Sequence, residues 1–186
     1  MANETELKIG RGSRVSTWRI DPFPFDGEGQ LIQSLQTVLP DVLTECHPFL
    51  KRAEVEVKFP DDVGDLFFET DGRYSNIGKA FFNEEEGQPL HLEIIISRIE
   101  LFRNQHKDPR TAPNISALGT ILHELFDADR NIKAREMRQR LDIPRDPRGH
   151  IDSEWEKISN ERALRAVERI YGPHYKFEHG DVLTLR

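Results

Sequence analysis

The stretch Ile115–Asn131, with the sequence ISALGTILHELFDADRN, is the part of the chain that most constrains its fold. An α-helix turns by about 100° per residue, so residues separated by three, four, seven or eight positions lie on one side of it. The apolar residues with these separations are Leu118, Ile121, Leu122, Leu125 and Phe126. On the opposite side His123 and Asp127 lie one turn apart, with Glu124 beside them. The pattern predicts a helix that buries its apolar side and presents three ionisable groups to a cleft.

These three polar residues have the chemistry of a metal site carried by a helix. Two side chains four residues apart can bind one metal ion together, and a carboxylate between them can hold a water molecule bound to that ion. We therefore interpret His123 and Asp127 as candidate metal ligands and Glu124 as the candidate general base. The alternative is that the three residues form only the solvated face of an amphipathic helix.

Residues 122–127, with the sequence LHELFD, resemble the H-E-x-x-H helix of the zincin metallopeptidases, with Asp in place of the second His. The resemblance implies a metal-dependent hydrolase of peptides or proteins. It implies that His123 and Asp127 bind zinc and that Glu124 takes a proton from the metal-bound water.

The resemblance also implies a third metal ligand from the helix that follows. Glu161 is the first candidate, Glu154 is the second and His150 is the third. Residues 160–165, with the sequence NERALR, resemble the tail of small effector-type and toxin-type zinc peptidases, which carry a Glu on this helix. The alternative for this face of the last helix is plain exposure to solvent.

Asp127 in place of a His changes what the site can do. Two carboxylates and one imidazole leave a zinc centre near neutral, so that it polarises a bound water less. The substitution therefore predicts weaker zinc binding, a preference for a harder ion such as Mn²⁺ or Mg²⁺, or no metal at all. A catalytically inactive or diverged zincin-like scaffold that binds a partner protein is accordingly our second hypothesis for the function.

Local patterns predict the other elements of the fold. The predicted helices are residues 30–52, with a kink or break near Pro40, the helix around His123, and residues 153–171, which begin with a capping box. The predicted strands are residues 54–59, 65–70, 74–82, 90–97 and a final one at 177–185.

These elements predict an α+β fold. Its parts are a small twisted, mostly antiparallel sheet, a backing helix, an active-site-type helix and a C-terminal helix, which is also the order of elements in a minimal zincin domain. Residues 30–186 are predicted to form a single domain, with residues 142–150 as a linker within it. Residues 1–29, interrupted by Pro22 and Pro24, are predicted to be an irregular N-terminal segment, with a short strand at residues 15–20 as an alternative within it.

Charge and composition narrow the classes of partner. The net charge of −7 over 186 residues argues against nucleic acid, because binding to phosphates requires a positive surface. No apolar run reaches the ~18 residues of a membrane-spanning helix, and the first residues lack the apolar core of a signal peptide. The single cysteine, Cys46, excludes an internal disulfide and fits a reducing compartment. We therefore expect a cytoplasmic protein, or one exported without a conventional signal peptide, that acts on or binds a peptide or protein.

Overall fold

A computed structural model describes residues 3–64, 66, 72–141 and 153–186, which form a five-stranded sheet with helices packed on it and a short C-terminal hairpin. The strands of the sheet are β1 (Thr5–Arg11), β2 (Arg14–Ile20), β3 (Glu54–Lys58), β4 (Gly78–Asn83) and β5 (His91–Ile96). The helices are α1 (Glu28–Thr44), α2 (Arg98–Lys107), α3 (Pro113–Leu141) and α4 (Ser153–Tyr171), with one turn of 3-10 helix at Leu50–Arg52. The hairpin consists of β6 (Tyr175–His179) and β7 (Val182–Leu185).

The sheet is mixed, with the strand order β1-β2-β3-β5-β4. β1 and β2 pair antiparallel, as do β4 and β5, whereas β2 runs parallel to β3 and β3 runs parallel to β5. The predicted α+β class is confirmed, but the sheet is not mostly antiparallel. The reason is that α1 connects β2 to β3 as a crossover, and a crossover of this kind brings two strands together in the same direction.

The prediction that residues 1–29 are irregular is wrong for residues 5–11, which form β1 of the β1–β2 hairpin, whereas the alternative of a short strand at residues 15–20 is confirmed as part of β2. Because β2 pairs with β3, this hairpin belongs to the same sheet as β3, β4 and β5. Trp18 of β2 is completely buried in the core. Pro22, the first of the two prolines that suggested an irregular segment, lies beyond the end of β2 and does not interrupt the pairing.

Helix α1 runs through Pro40 without a break, so of the predicted kink or break the break is wrong. A proline inside a helix removes the hydrogen bond to the carbonyl four residues earlier, here that of Gln36. Both Pro40 and Gln36 lie on the exposed side of α1, so water can reach the carbonyl that loses its partner. The opposite side of α1 is buried against the sheet and α3.

Helix α3 is the central element of the fold, because it packs against the sheet and against α1, α2 and α4. The five apolar residues that define its predicted buried side are each at most 1% exposed. Although α3 has 29 residues, neither it nor any other helix in the described ranges is long and apolar enough to cross a membrane.

The remaining segments agree with the predicted elements in part. Helix α2 is absent from the sequence-based prediction; it begins at Arg98 and is capped by Ser97, whose Oγ accepts the N–H of Glu100 at 3.2 Å. The bounds of α4 are confirmed, and the predicted final strand is instead the β6–β7 hairpin. The predicted strand at residues 65–70, apart from residue 66, and the predicted linker at residues 142–150 lie outside the described residues.

Asp129 of α3 joins three parts of the fold through one fully buried carboxylate. It accepts the backbone N–H of His47 at 2.6 Å, in the turn that follows α1. It also accepts hydrogen bonds from Lys133 on its own helix at 2.7 Å and from Arg162 on α4 at 2.8 Å. Two cations and one amide therefore compensate a charge that would otherwise be costly to bury.

We expect Asp129→Asn to lower the free energy of unfolding by about 3 kcal/mol, because the change leaves Arg162 partly buried without its counter-ion. The measurement is urea unfolding followed by circular dichroism. Asp41→Asn is the matched control, since Asp41 also pairs with an arginine of α4, Arg169, but at the protein surface. The control should change stability by less than about 0.5 kcal/mol. Equal losses in the two variants would contradict the role given to Asp129.

Candidate functional site

His123, Glu124 and Asp127 lie in the interior of the protein, where they are 2%, 8% and 9% exposed. Helix α4, strand β4 and the β6–β7 hairpin cover this side of α3. The sequence pattern predicted that these residues would face a cleft. The outcome differs because α3 is packed on both its apolar side and its polar side.

Both ring nitrogens of His123 have partners. Its Nδ1 lies 2.6 Å from Oδ1 of Asn160 on α4, and the amide nitrogen of Asn160 donates to the carbonyl of Gly180 at 3.0 Å. Because the amide nitrogen is committed to Gly180, the Asn160 oxygen faces His123 and Nδ1 must carry the proton. The other nitrogen, Nε2, lies 3.5 Å from Oδ2 of Asp127.

Asp127 is an ionised carboxylate with partners on two helices. Its Oδ1 accepts the hydroxyl of Ser159 on α4 at 2.5 Å and lies 3.0 Å from the guanidinium of Arg130. Burial alone would raise the pKa of Asp127, but the contacts with His123, Ser159 and Arg130 outweigh burial and hold this pKa below its usual value. The pKa of His123 is also shifted. Burial lowers this pKa, but the neighbouring Asp127, Glu124 and Asp181 raise it by more, to about 10.

Asp181 is a fourth ionisable residue in this cluster, and the sequence analysis missed it. It lies in the turn between β6 and β7, is completely buried, and accepts the backbone N–H groups of Ile77 at 2.9 Å and Gly78 at 2.6 Å. Glu124 accepts the N–H of Ala80 in the same way. Burial raises the pKa of Glu124 to about 8 and the pKa of Asp181 to about 6.

Gly78 is the residue that lets β4 approach the two carboxyl groups so closely. A Cβ atom at this position would lie 2.5 Å from Cγ2 of Thr120 and 3.2 Å from the Asp181 carboxylate. It would also lie 3.3 Å from the side chain of Glu124. Only glycine allows the amide groups at the start of this edge strand to reach both acids.

The structure does not bring Glu161 to His123. Glu161 lies on the exposed face of α4, and the residues that turn toward α3 are its neighbours Ser159 and Asn160. A step of one position along a helix rotates the side chain by about 100°, which is enough to separate the buried face from the exposed face. Of the other predicted ligands, His150 and the side chain of Glu154 lie outside the described part of the chain.

The described residues do not fit the three-ligand zinc centre that the zincin resemblance implies. His123 and Asp127 approach each other as two ligands of one ion would, but the residues that α4 adds are an amide and a hydroxyl. Arg130 already supplies a positive charge to Asp127. Within the described ranges, no three His, Cys, Asp or Glu side chains converge in a way that could hold a metal ion.

We expect the protein to become less stable as the pH rises from 6 to 9. A group with a higher pKa in the folded state binds more protons when folded, so stability falls as the pH rises from its unfolded to its folded pKa. The pH range between the unfolded and the folded pKa is 3.8 to about 6 for Asp181, 4.5 to about 8 for Glu124 and 6.5 to about 10 for His123.

The measurement is the melting temperature at pH 6 and at pH 9. Glu124→Gln should reduce the difference, because a buried amide has no proton to lose in this range. The exposed residue Glu6 gives the control, and Glu6→Gln should keep the full difference. A melting temperature that is independent of pH in the wild type would contradict the assignment of these shifts.

The chain gives no significant match to a family model, to a curated protein or to a solved structure. The resemblance to zincins therefore stays a hypothesis drawn from residues 122–127 and the order of elements.

Proposed function

We propose that this protein is a diverged zincin-like scaffold that binds a segment of a partner protein instead of hydrolysing it. The observation that carries the proposal is the set of contacts around His123 and Asp127. Their ligating atoms face Asn160, Ser159, Arg130 and each other. In this arrangement the charges of the motif balance one another inside the protein, and the motif becomes a link between α3 and α4.

The exposed surface supports the partner-binding half of the proposal. Phe49, in the turn after α1, keeps 37% of its surface exposed beside an open groove. A protein or peptide partner also agrees with the net charge of −7, which disfavours nucleic acid.

A reducing, cytoplasmic location is also part of the proposal, with export without a conventional signal peptide as the alternative. It is supported by the single cysteine, which cannot form an internal disulfide. Burial raises the pKa of Cys46 to about 12, so this residue stays a thiol and is not a nucleophile.

A metal-dependent hydrolase of the peptidase type is the second candidate function. It is favoured by the distance of 3.5 Å between Nε2 of His123 and Oδ2 of Asp127, and by the hydrogen bond from Nδ1 to Asn160. Histidines that bind metals are usually oriented by a hydrogen bond of this kind. Under this proposal His123 and Asp127 would bind zinc or a harder divalent ion, and Glu124 would be the general base.

Elemental analysis of the purified protein decides between the two candidates. We expect far less than one zinc or manganese ion per chain in the wild type, and no difference between the wild type and His123→Ala. We also expect Glu124→Gln to fold and to bind the partner as the wild type does. The diverged-scaffold proposal would be wrong if the wild type held one metal ion per chain, lost it in His123→Ala, and cleaved casein in a reaction that Glu124→Gln abolished.

A further inference from the structure

An open groove lies on the protein surface beside Phe49, in the turn after α1. It has a volume of about 690 Å³, which is within the range of sites that hold a ligand or several peptide side chains. Phe49 and Arg52 line one part of the groove, and residues 84–90, the connection between β4 and β5, line the other. The lining combines apolar side chains with several polar and charged ones, as binding sites for ligands commonly do.

The Phe49 wall of the groove is fixed by contacts with α3. The ring of Phe49 packs edge-on against the ring of His47, with 4.7 Å between their centroids, and its N–H donates to Nδ1 of His47 at 3.2 Å. The other nitrogen of His47 lies 2.8 Å from the carboxylate of Glu136 on α3. An aromatic side chain that is exposed but held in place can bind a partner with little loss of conformational freedom.

The opposite wall is fixed from the same helix. Arg135 of α3 forms an ion pair with Glu84 at the start of the β4–β5 connection. Its guanidinium also stacks on the ring of Phe82, 5.6 Å from the ring centroid. Consecutive residues of α3 therefore hold both walls: Glu136 contacts His47 beside Phe49, and Arg135 pairs with Glu84. The groove is accordingly largely formed before a partner binds.

The charge of the groove selects the chemistry of the partner. Glu84 is neutralised by Arg135, but the next two residues, Glu85 and Glu86, are exposed to solvent. Among the described residues that line the groove, Arg52 is the one basic residue. The lining therefore carries excess negative charge next to the apolar surface of Phe49 and Pro89.

We infer that this groove binds a short peptide segment that presents an apolar side chain to Phe49 and a lysine or arginine to Glu85 and Glu86. The inference rests on the proposed partner-binding function and gives the site and the class of its ligand. Contact with an exposed aromatic anchor supplies affinity, and the acidic pair supplies selectivity for a basic segment.

Two phage-displayed decapeptide libraries test the inference, at physiological ionic strength. One library varies Leu, Phe, Lys and Arg, and the other replaces Lys and Arg by Asp and Glu. We expect the wild-type protein to retain peptides from the basic library only. Retention of the acidic library, or of neither library, would overturn the inference.

Fluorescence anisotropy with the best-retained basic peptide then locates the site. Phe49→Ala and Glu85→Lys should each raise the dissociation constant of the peptide by about tenfold or more. The matched controls are Phe102→Ala, a similarly exposed phenylalanine on α2, and Glu6→Lys, an exposed glutamate on β1. Both controls should bind as the wild type does, and circular dichroism should show that all four variants are folded.

The remaining outcomes separate this inference from the function on which it rests. Binding that is unchanged in Phe49→Ala and Glu85→Lys would overturn the groove as the site but leave partner binding in place. Cleavage of the peptide, abolished by Glu124→Gln, would instead overturn the proposed function. A concentration-dependent dimer of the protein that Glu85→Lys abolishes would mean that a second copy occupies the groove, and would also overturn the inference.

Discussion

The burial of charged side chains on α3 is the constraint on which the rest of the structure depends. A lone charge in a protein interior costs several kcal/mol, so each one requires a partner from a neighbouring element. Asp129 accepts hydrogen bonds from α4 and from the turn after α1, and Asp127 accepts one from Ser159 on α4. Glu124 takes an amide of β4. The positions of α4 and of the edge strand are therefore fixed by polar contacts as well as by apolar packing.

The cluster around His123 illustrates how one set of residue types can serve two purposes. An imidazole and carboxyl groups are common ligands of divalent ions. The same groups can also be buried without a metal when bound protons and an arginine compensate the negative charge of the carboxylates. Here Arg130 contacts Asp127, Glu124 accepts the backbone N–H of Ala80, and the Asp181 carboxylate accepts two backbone N–H groups. This balance supports our proposal of a scaffold whose motif residues are structural.

The sequence was sufficient for features that depend on local periodicity and insufficient for those that depend on how elements meet. The helix around His123, its apolar side and the bounds of α4 follow from spacing and capping, and so were predicted. The residue of α4 that faces His123 depends on the rotation of that helix, and a difference of one position separates Asn160 from Glu161. Asp181 could not be found at all, because a Gly-Asp turn between two short strands carries no sign that its carboxylate points inward.

The two consecutive residues Arg135 and Glu136 give α3 a second role, because they hold Glu84 and His47 beside the surface groove on the same helix that carries the buried cluster. A ligand that favours the arrangement of these two side chains also favours the helix that carries them. By thermodynamic linkage, any coupling between the two regions must be reciprocal, so that a change in the protonation of the interior alters affinity at the surface by the same factor as binding alters protonation. One rigid helix can in this way make a distant acid-base equilibrium part of molecular recognition.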